Sequence, residues 1–196
     1  SPVSVKCRLG VDFQIPEIEL PIFLQKIIDA GIDSVTIHAR KALLNGLSPK
    51  ANRSIPKLDY DLVLKMKSVF PFTKIYLKGG VVNLEQANNL IKGGLDGVMI
   101  GRAAYNNPRE TLLPADQKIF GDISRQNTMF EAIYLLLPYI EKELSQGTKL
   151  FAITKHLLSA FNGMPGAKLY RRTLCETGNE ASPDPGILLK ALDFVN

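Results

Sequence analysis

Strand-length β-branched runs alternate with amphipathic helix-length runs over the first hundred or so residues, the period turns purely helical further on, and two of the strands end in glycine. These features predict an α/β chain, the second half of a TIM (β/α)8 barrel followed by an all-α helical bundle domain. The expected division is a half-barrel over 1–110, a linker over 111–125 and a helical domain over 126–196.

In chain order, residues 3–8 predict a strand and 18–30 a helix, with apolar positions at Ile18, Ile22, Phe23, Ile27 and Ile28 and an end at Gly31. Ser34–His38 is the second strand, followed by a long loop over 39–58 and a helix over 60–70. Lys74–Lys78 is the third, ending in Gly79-Gly80 and leading to a helix near Leu84–Lys92. Residues 96–100 form the fourth, ending in Gly101-Arg102. Four such units make half a barrel, so further strands are expected to close the sheet, and a chain that opens two residues before a strand reads as truncated at its front. Beyond Pro108, helices are predicted at 127–145, 149–161, 165–177 and 185–195, separated by Gly147, by Gly163-Met164-Pro165-Gly166 and by Ser182-Pro183-Asp184-Pro185.

The 196 residues are 45% hydrophobic and 22% charged, a balance that suits a soluble chain with a sizeable core. No apolar run reaches the roughly 18 residues that span a bilayer, and Ser1-Pro2-Val3-Ser4-Val5 lacks the basic start of a signal peptide. No membrane association is expected, and a cytoplasmic location is, with an organelle left open. Cys7 and Cys175 lie far apart without metal-ligand spacing, which favours free thiols and no metal site. The net charge of +5 is compatible with an anionic partner.

Chemistry in a barrel of this kind gathers at the C-terminal ends of the strands. Gly79, Gly80, Gly101 and Arg102 stand where such barrels build a phosphate site: glycine lets backbone N–H groups approach the anion, and arginine offers a two-pronged donor. Lys6 and Arg8 share one face of the first strand, with Cys7 on the other. An inward lysine suits either a cation beside a cofactor ring or a Schiff-base amine, against the plainer reading of a strand-end lysine that reaches solvent. His38 ends the second strand and is either a donor to a cofactor, an acid–base group or a structural histidine. From Arg40 to Lys57 the loop carries Arg40, Lys41, Lys50, Arg53 and Lys57 with no Asp or Glu. A second basic cluster, Lys168, Arg171 and Arg172 around Tyr170, shares a helix face. Two basic sites on separate domains suit a long polyanion better than a small metabolite.

The runs Val5-Lys6-x-Arg8-x-Gly10, Ile37-His38-Ala39-Arg40-Lys41-Ala42, Gly46-Leu47-Ser48-Pro49-Lys50-x-Asn52-Arg53, Gly97 to Pro108 and Gly163-x-Pro165-Gly166-Ala167-x-x-x-Arg171-Arg172 closely resemble the A subfamily of tRNA-dihydrouridine synthases, in the family's order over nearly the whole chain. The resemblance implies an FMN-binding barrel with a helical tRNA-binding domain; a monomer is expected. In it NADPH reduces the flavin, and the flavin reduces the C5–C6 bond of particular tRNA uridines. It further implies that Lys6 and His38 contact the isoalloxazine and that Gly79, Gly80, Gly101 and Arg102 hold the FMN phosphate beside Lys78. Arg40, Lys50, Arg53, Lys168, Arg171 and Arg172 would face the tRNA. Two departures stand out. Lys78 occupies the place of an Asn that usually precedes the family's Gly-Gly, and the family's catalytic cysteine belongs to an N-terminal segment that this sequence does not contain. No catalytic residue is therefore expected within these 196 residues, and the chain alone is expected to be inactive. Two alternatives stay open: a non-redox barrel enzyme on a phosphorylated metabolite with Lys6 as its Schiff-base lysine, and a non-catalytic RNA-binding protein.

Overall fold

Four short stretches, the first three alternating apolar with polar residues, pair into one all-parallel sheet: β1 Ser4–Arg8, β2 Ser34–His38, β3 Lys74–Lys78 and β4 Gly97–Met99, in the spatial order of the sequence. The computed structural model of the chain describes residues 1–123, 128–177 and 184–195. Between the strands run α1 Pro16–Asp29, α2 Tyr60–Val69 and α3 Leu84–Lys92. The register aligns Val5, Val35 and Ile75 in one row and Cys7, Ile37, Leu77 and Val98 in another. Period-two alternation puts both rows on one face of the sheet. There Val35, Ile37, Ile75 and Leu77 are fully buried with Leu62, Val63 and Met66 of α2 and Leu84 and Ala87 of α3. Each such side chain contributes about 1.5–3 kcal/mol by leaving water.

Side-chain caps fix where α2 and α3 begin: Asp59 accepts from the Leu62 N–H at 2.9 Å and Asn83 from the Gln86 N–H at 2.8 Å. Helix α1 differs from expectation in its buried stripe. Leu20 and Leu24 face the core, while Ile18, Ile22 and Phe23 are exposed. The helix is apolar nearly all round at this end, so periodicity does not single out one face. Asp96, just ahead of β4, accepts from the Ile75 N–H and from Lys67 Nζ, both at 2.8 Å. Burial works to raise its pKa, but these donors outweigh it and hold the carboxyl below its ordinary range.

The chain divides into two compact units, Ser1–Ile100 and Gly101–Asn196. The division falls ahead of the expected boundary at 110, and the expected linker is helical over Ala115–Phe120. The second unit contains α4 Arg102–Asn106, α5 Pro108–Thr111, α6 Ala115–Phe120, α7 Met129–Ser145, α8 Leu150–Thr154, α9 Ala167–Thr177 and α10 Gly186–Leu192. A reciprocal cap starts α7: Thr128 Oγ1 accepts from the Glu131 N–H and Glu131 Oε2 from the Thr128 N–H. The predicted start of that helix at 127 and the Ser182-Pro183 break lie outside the described residues. The helix predicted over 149–161 stops at Thr154 and continues as tight turns such as Leu157 N–H to Thr154 C=O and Ala160 N–H to Leu157 C=O. Those turns seat Ala160 and Phe161 in the core.

Phe161 is the centre of that core, with its ring 5.0 Å from Phe130 and 4.9 Å from Tyr170. Tyr170, expected among the basic residues of its helix, is instead fully buried and donates to the Leu157 carbonyl at 3.2 Å. Ala167, Tyr170 and Leu174 make the inward stripe of α9. Among the described residues, no helix is long and apolar enough to cross a membrane.

Gly166 has φ +77°, and a Cβ there would overlap the Phe194 carbonyl; Gly163 has φ +82° with open space around it. Gly163→Ala is expected to cost about 1–2 kcal/mol from backbone strain, and Gly166→Ala appreciably more, because Phe194 must also move. Equal urea-denaturation midpoints for the two variants would refute the close approach.

Candidate functional site

The face of the sheet turned away from the helices is polar. Its rows are Lys6, Thr36, Tyr76 and Gly97, then Arg8, His38, Lys78 and Met99 at the C-terminal ends of the strands. No Asp or Glu lies in any of the four strands, nor from Arg40 to Lys57 in the loop that follows β2. Cations crowded together repel one another and make the site attractive to an anion.

His38 feels this most directly. It is only 7% exposed, and its pKa falls to about 4 through burial first and then the charges of Arg8, Lys78, Lys6 and Arg40. The ring is therefore neutral at physiological pH, able to donate from one nitrogen and accept at the other. Lys78 is lowered by burial and by the charges of Lys6, Arg8 and Arg53, and Arg8 by burial and by Arg40 and Arg53. Cys7 lies in the opposite, apolar row, and burial pushes its thiol up to about 11. Such a thiol is a poor acid or nucleophile at neutral pH.

Local chemistry also orders the loop after β2. Arg8 Nη1 donates to the carbonyls of Lys41 and Asn52 at 2.9 Å each. Asn52 holds Leu43 from both sides, accepting from its N–H at 2.8 Å and donating to its carbonyl at 2.5 Å. Arg40 is half-buried and donates to the Pro56 carbonyl. Lys50 and Arg53 stay exposed, flanking and closing a 3₁₀ turn over Ala51–Arg53. The basic residues are thus displayed on a fixed scaffold.

Gly79 and Gly80 have φ +111° and +71°. A Cβ on Gly79 would lie 2.6 Å from His38 Cδ2, and one on Gly80 would lie 2.8 Å from the Tyr60 hydroxyl. Tyr60 in turn donates to the Gly79 carbonyl at 2.6 Å. Both glycines are required by backbone conformation and by close packing. In the second unit, Gly101 is the N-cap of α4 and Arg102 its exposed first residue. On α9, Lys168 and Arg172 are exposed and Arg171 is half-buried. Arg172 pairs with Glu176 at 2.8 Å, and Arg171 donates to Asn162 Oδ1 at 2.9 Å.

The structure therefore gathers Lys6, His38, Lys78, Gly79, Gly80 and the Arg40–Arg53 loop in the first unit, and Gly101, Arg102, Lys168, Arg171 and Arg172 in the second. Sequence reasoning gave no role to Arg8, Asn52 or Tyr60. Arg8 carried a signal in its shared face with Lys6 at a strand end, and Asn52 one in its place within the Gly46–Arg53 run. Among the described residues, no cluster of three or more His, Cys, Asp or Glu side chains could hold a metal ion.

A family model described as dihydrouridine synthase (Dus) matches residues 1–195. The chain belongs to the dihydrouridine synthase family. It is similar to the tRNA-dihydrouridine(20/20a) synthase of Salmonella typhi, 42% identical over 99% of this chain and 58% of the relative. To the protein of that name in Escherichia coli strain K12 it is 43% identical, over 99% of this chain and 56% of the relative. To that of Vibrio cholerae it is 44% identical, over 97% and 58%. The chain spans somewhat more than half the length of these dihydrouridine synthases.

The neutral His38 makes a measurable pH signature. With a folded pKa of about 4 and an unfolded one near 6.5, the unfolded state binds a proton between those values that the folded state refuses. Stability is thus lost as pH falls through that window and is fully present above it, by roughly 1–3 kcal/mol. Comparing urea midpoints of wild type and His38→Asn in buffer without multivalent anions removes the contribution of other groups. The variant should gain on the wild type between pH 6.5 and 4; parallel profiles would place the histidine in solvent.

Proposed function

We propose that the protein carrying this chain is a flavin-dependent oxidoreductase, a tRNA-dihydrouridine synthase. It uses FMN and NADPH to reduce the C5–C6 bond of specific tRNA uridines to 5,6-dihydrouridine, and acts at the positions 20 and 20a that its relatives' names carry. The observation that carries this is the basic face at the C-terminal ends of β1–β3 in a member of the dihydrouridine synthase family. On this reading the sheet is the second half of an FMN-binding (β/α)8 barrel, and the second unit is the tRNA-binding domain. Four parallel strands in sequential order support the barrel, which places its chemistry at those same strand ends. Family membership favours this reading over a non-redox enzyme with Lys6 as a Schiff-base amine.

The residues present suit an anionic cofactor. Reduced FMN, when bound, supplies the hydride. Lys6 and His38 contact its ring: the lysine contributes positive charge, and the neutral imidazole contributes a donor that costs no additional charge. Lys78, in the row of Arg8 and His38, adds a cation where the family usually has Asn. Gly79, Gly80, Gly101 and Arg102 hold the phosphate through backbone N–H groups and the guanidinium. Lys50 and Arg53 meet the tRNA from the ordered loop, which Arg40 ties down through the Pro56 carbonyl, and Lys168 and Arg172 meet its phosphates from α9. The exposed Arg172–Glu176 pair contributes little to stability, so a phosphate can displace the glutamate. Cys7 takes no part.

The full protein that carries this chain, once purified, should show flavin absorbance near 450 nm (roughly) and, with NADPH and unmodified tRNA, should form dihydrouridine detectable by mass spectrometry; a colourless preparation that fails to take up FMN would overturn the reading. Arg102→Ala should weaken FMN retention by about 1–3 kcal/mol. Lys168→Ala and Arg172→Ala should each flatten the slope of log tRNA affinity against log salt by about 0.7–0.9, alike across tRNA species. A parental slope in the double variant would make these two residues an ordinary solvated face.

A further inference from the structure

Helix α4 spans only five residues, too short to be stable by itself. It nevertheless carries Arg102, the side chain assigned above to the cofactor phosphate, and what holds it is visible at its C-terminal end. A helix leaves its last carbonyls without partners inside the helix. Here the Tyr105 carbonyl accepts from Ser159 Oγ and the Asn106 carbonyl from Asn162 Nδ2 at 2.6 Å. The Tyr105 hydroxyl meets His156 Nδ1 at 3.0 Å, with the two rings edge to face at 5.9 Å. All three partners come from the turns that follow α8. Asn162 is used in both directions, because its Oδ1 accepts from Arg171 Nη1 at 2.9 Å while its Nδ2 donates to α4. An amide side chain, with an acceptor oxygen and a donor nitrogen, serves both neighbours at once.

We infer that Arg171 is a positioning residue and not a phosphate contact: through Asn162 it fixes the end of α4 and thereby the placement of Arg102. This rests on the reading of Arg102 as a phosphate ligand. Its neighbours Lys168 and Arg172 are exposed, whereas Arg171 is half-buried with its guanidinium turned to Asn162. One helix thus divides its basic residues between two tasks, two directed outward to RNA and one directed inward to the cofactor-bearing end of the unit.

The test uses the FMN-loaded protein carrying this chain and three readouts: FMN dissociation followed by fluorescence, the salt slope of tRNA binding, and hydrogen exchange at the Tyr105 and Asn107 amides, which bond to the Gly101 and Ala103 carbonyls. Arg171→Ala and Asn162→Ala should each speed FMN dissociation roughly tenfold, the loss expected for one charge-assisted hydrogen bond, and should speed exchange in α4 while leaving the salt slope parental. The double variant should be no worse than either single one. Asn162→Asp is the same size and keeps an acceptor for Arg171 but loses the donor to Asn106. It should release FMN as fast as Asn162→Ala even if the alanine variants fold poorly. If Arg171→Ala flattens the salt slope by about 0.7–0.9 and leaves FMN dissociation unchanged, Arg171 is a phosphate contact and the inference fails. If Arg102→Ala retains FMN as well as the parent, the phosphate reading fails instead, and exchange at Tyr105 and Asn107 still decides the positioning: unaltered exchange in Asn162→Asp sinks it.

Discussion

Parallel pairing at this register sets Arg8 beside His38 and His38 beside Lys78, with Lys6 two residues before Arg8 on the same face. Neighbouring strands lie roughly 4.8 Å apart, so the charges cannot separate without breaking the ladder that buries Val35, Ile37, Ile75 and Leu77 on the other side. The apolar face therefore imposes the electrostatics of the polar one. Burial, and then this repulsion, leave His38 without its proton, and Arg8 turns into the following loop, where two carbonyls accept from it. That second adjustment orders the segment carrying Lys50 and Arg53. The loop's shape and the site's charge thus have one origin.

The second unit solves a related problem, how to present cations from a helix that must also fill a core. On α9 the inward stripe of Ala167, Tyr170 and Leu174 leaves Lys168 and Arg172 outward at helical spacing. Gly166, just ahead of the helix, lets the backbone approach the Phe194 carbonyl closely, so the start of α9 is set against the segment that follows α10. A helix fixed at that end and along one face can hold its charged face at a defined angle to the rest of the unit.

How much of this was legible in the sequence depends on the range of the interaction. The strands and the helices α2 and α3 follow from period, caps and glycine ends, all local signals, and they fall within a residue or two of expectation. The basic face was legible in part, since alternation along β1 already put Lys6 and Arg8 together. What escaped was decided by partners far along the chain. Residues 155–161 are helical by composition, but Phe161 packs on Phe130 and Tyr170, and Ser159 is held by α4. Tyr170 looked like part of a basic surface because only the three-dimensional core shows which side of α9 faces inward. For the same reason Arg171 could not be told from Arg172 by spacing, although one bonds to Asn162 and the other to Glu176.

The glycine pair after β3 invites two explanations, close packing and close approach to a ligand, and the geometry makes them one. Gly79 must lack a side chain for His38 to lie against it, and Gly80 for Leu58 and Tyr60 to do so. The Tyr60 hydroxyl then ties the Gly79 carbonyl in place, and Gln86 of α3 reaches the same hydroxyl at 3.4 Å. The turn is held from three sides by protein alone. A phosphate or flavin meeting such a turn pays little to order it, because its backbone is already rigid, and more of the electrostatic attraction of the basic face remains as affinity. On the proposed reading, the packing that demands glycine here also keeps the strand end ordered ahead of its ligand.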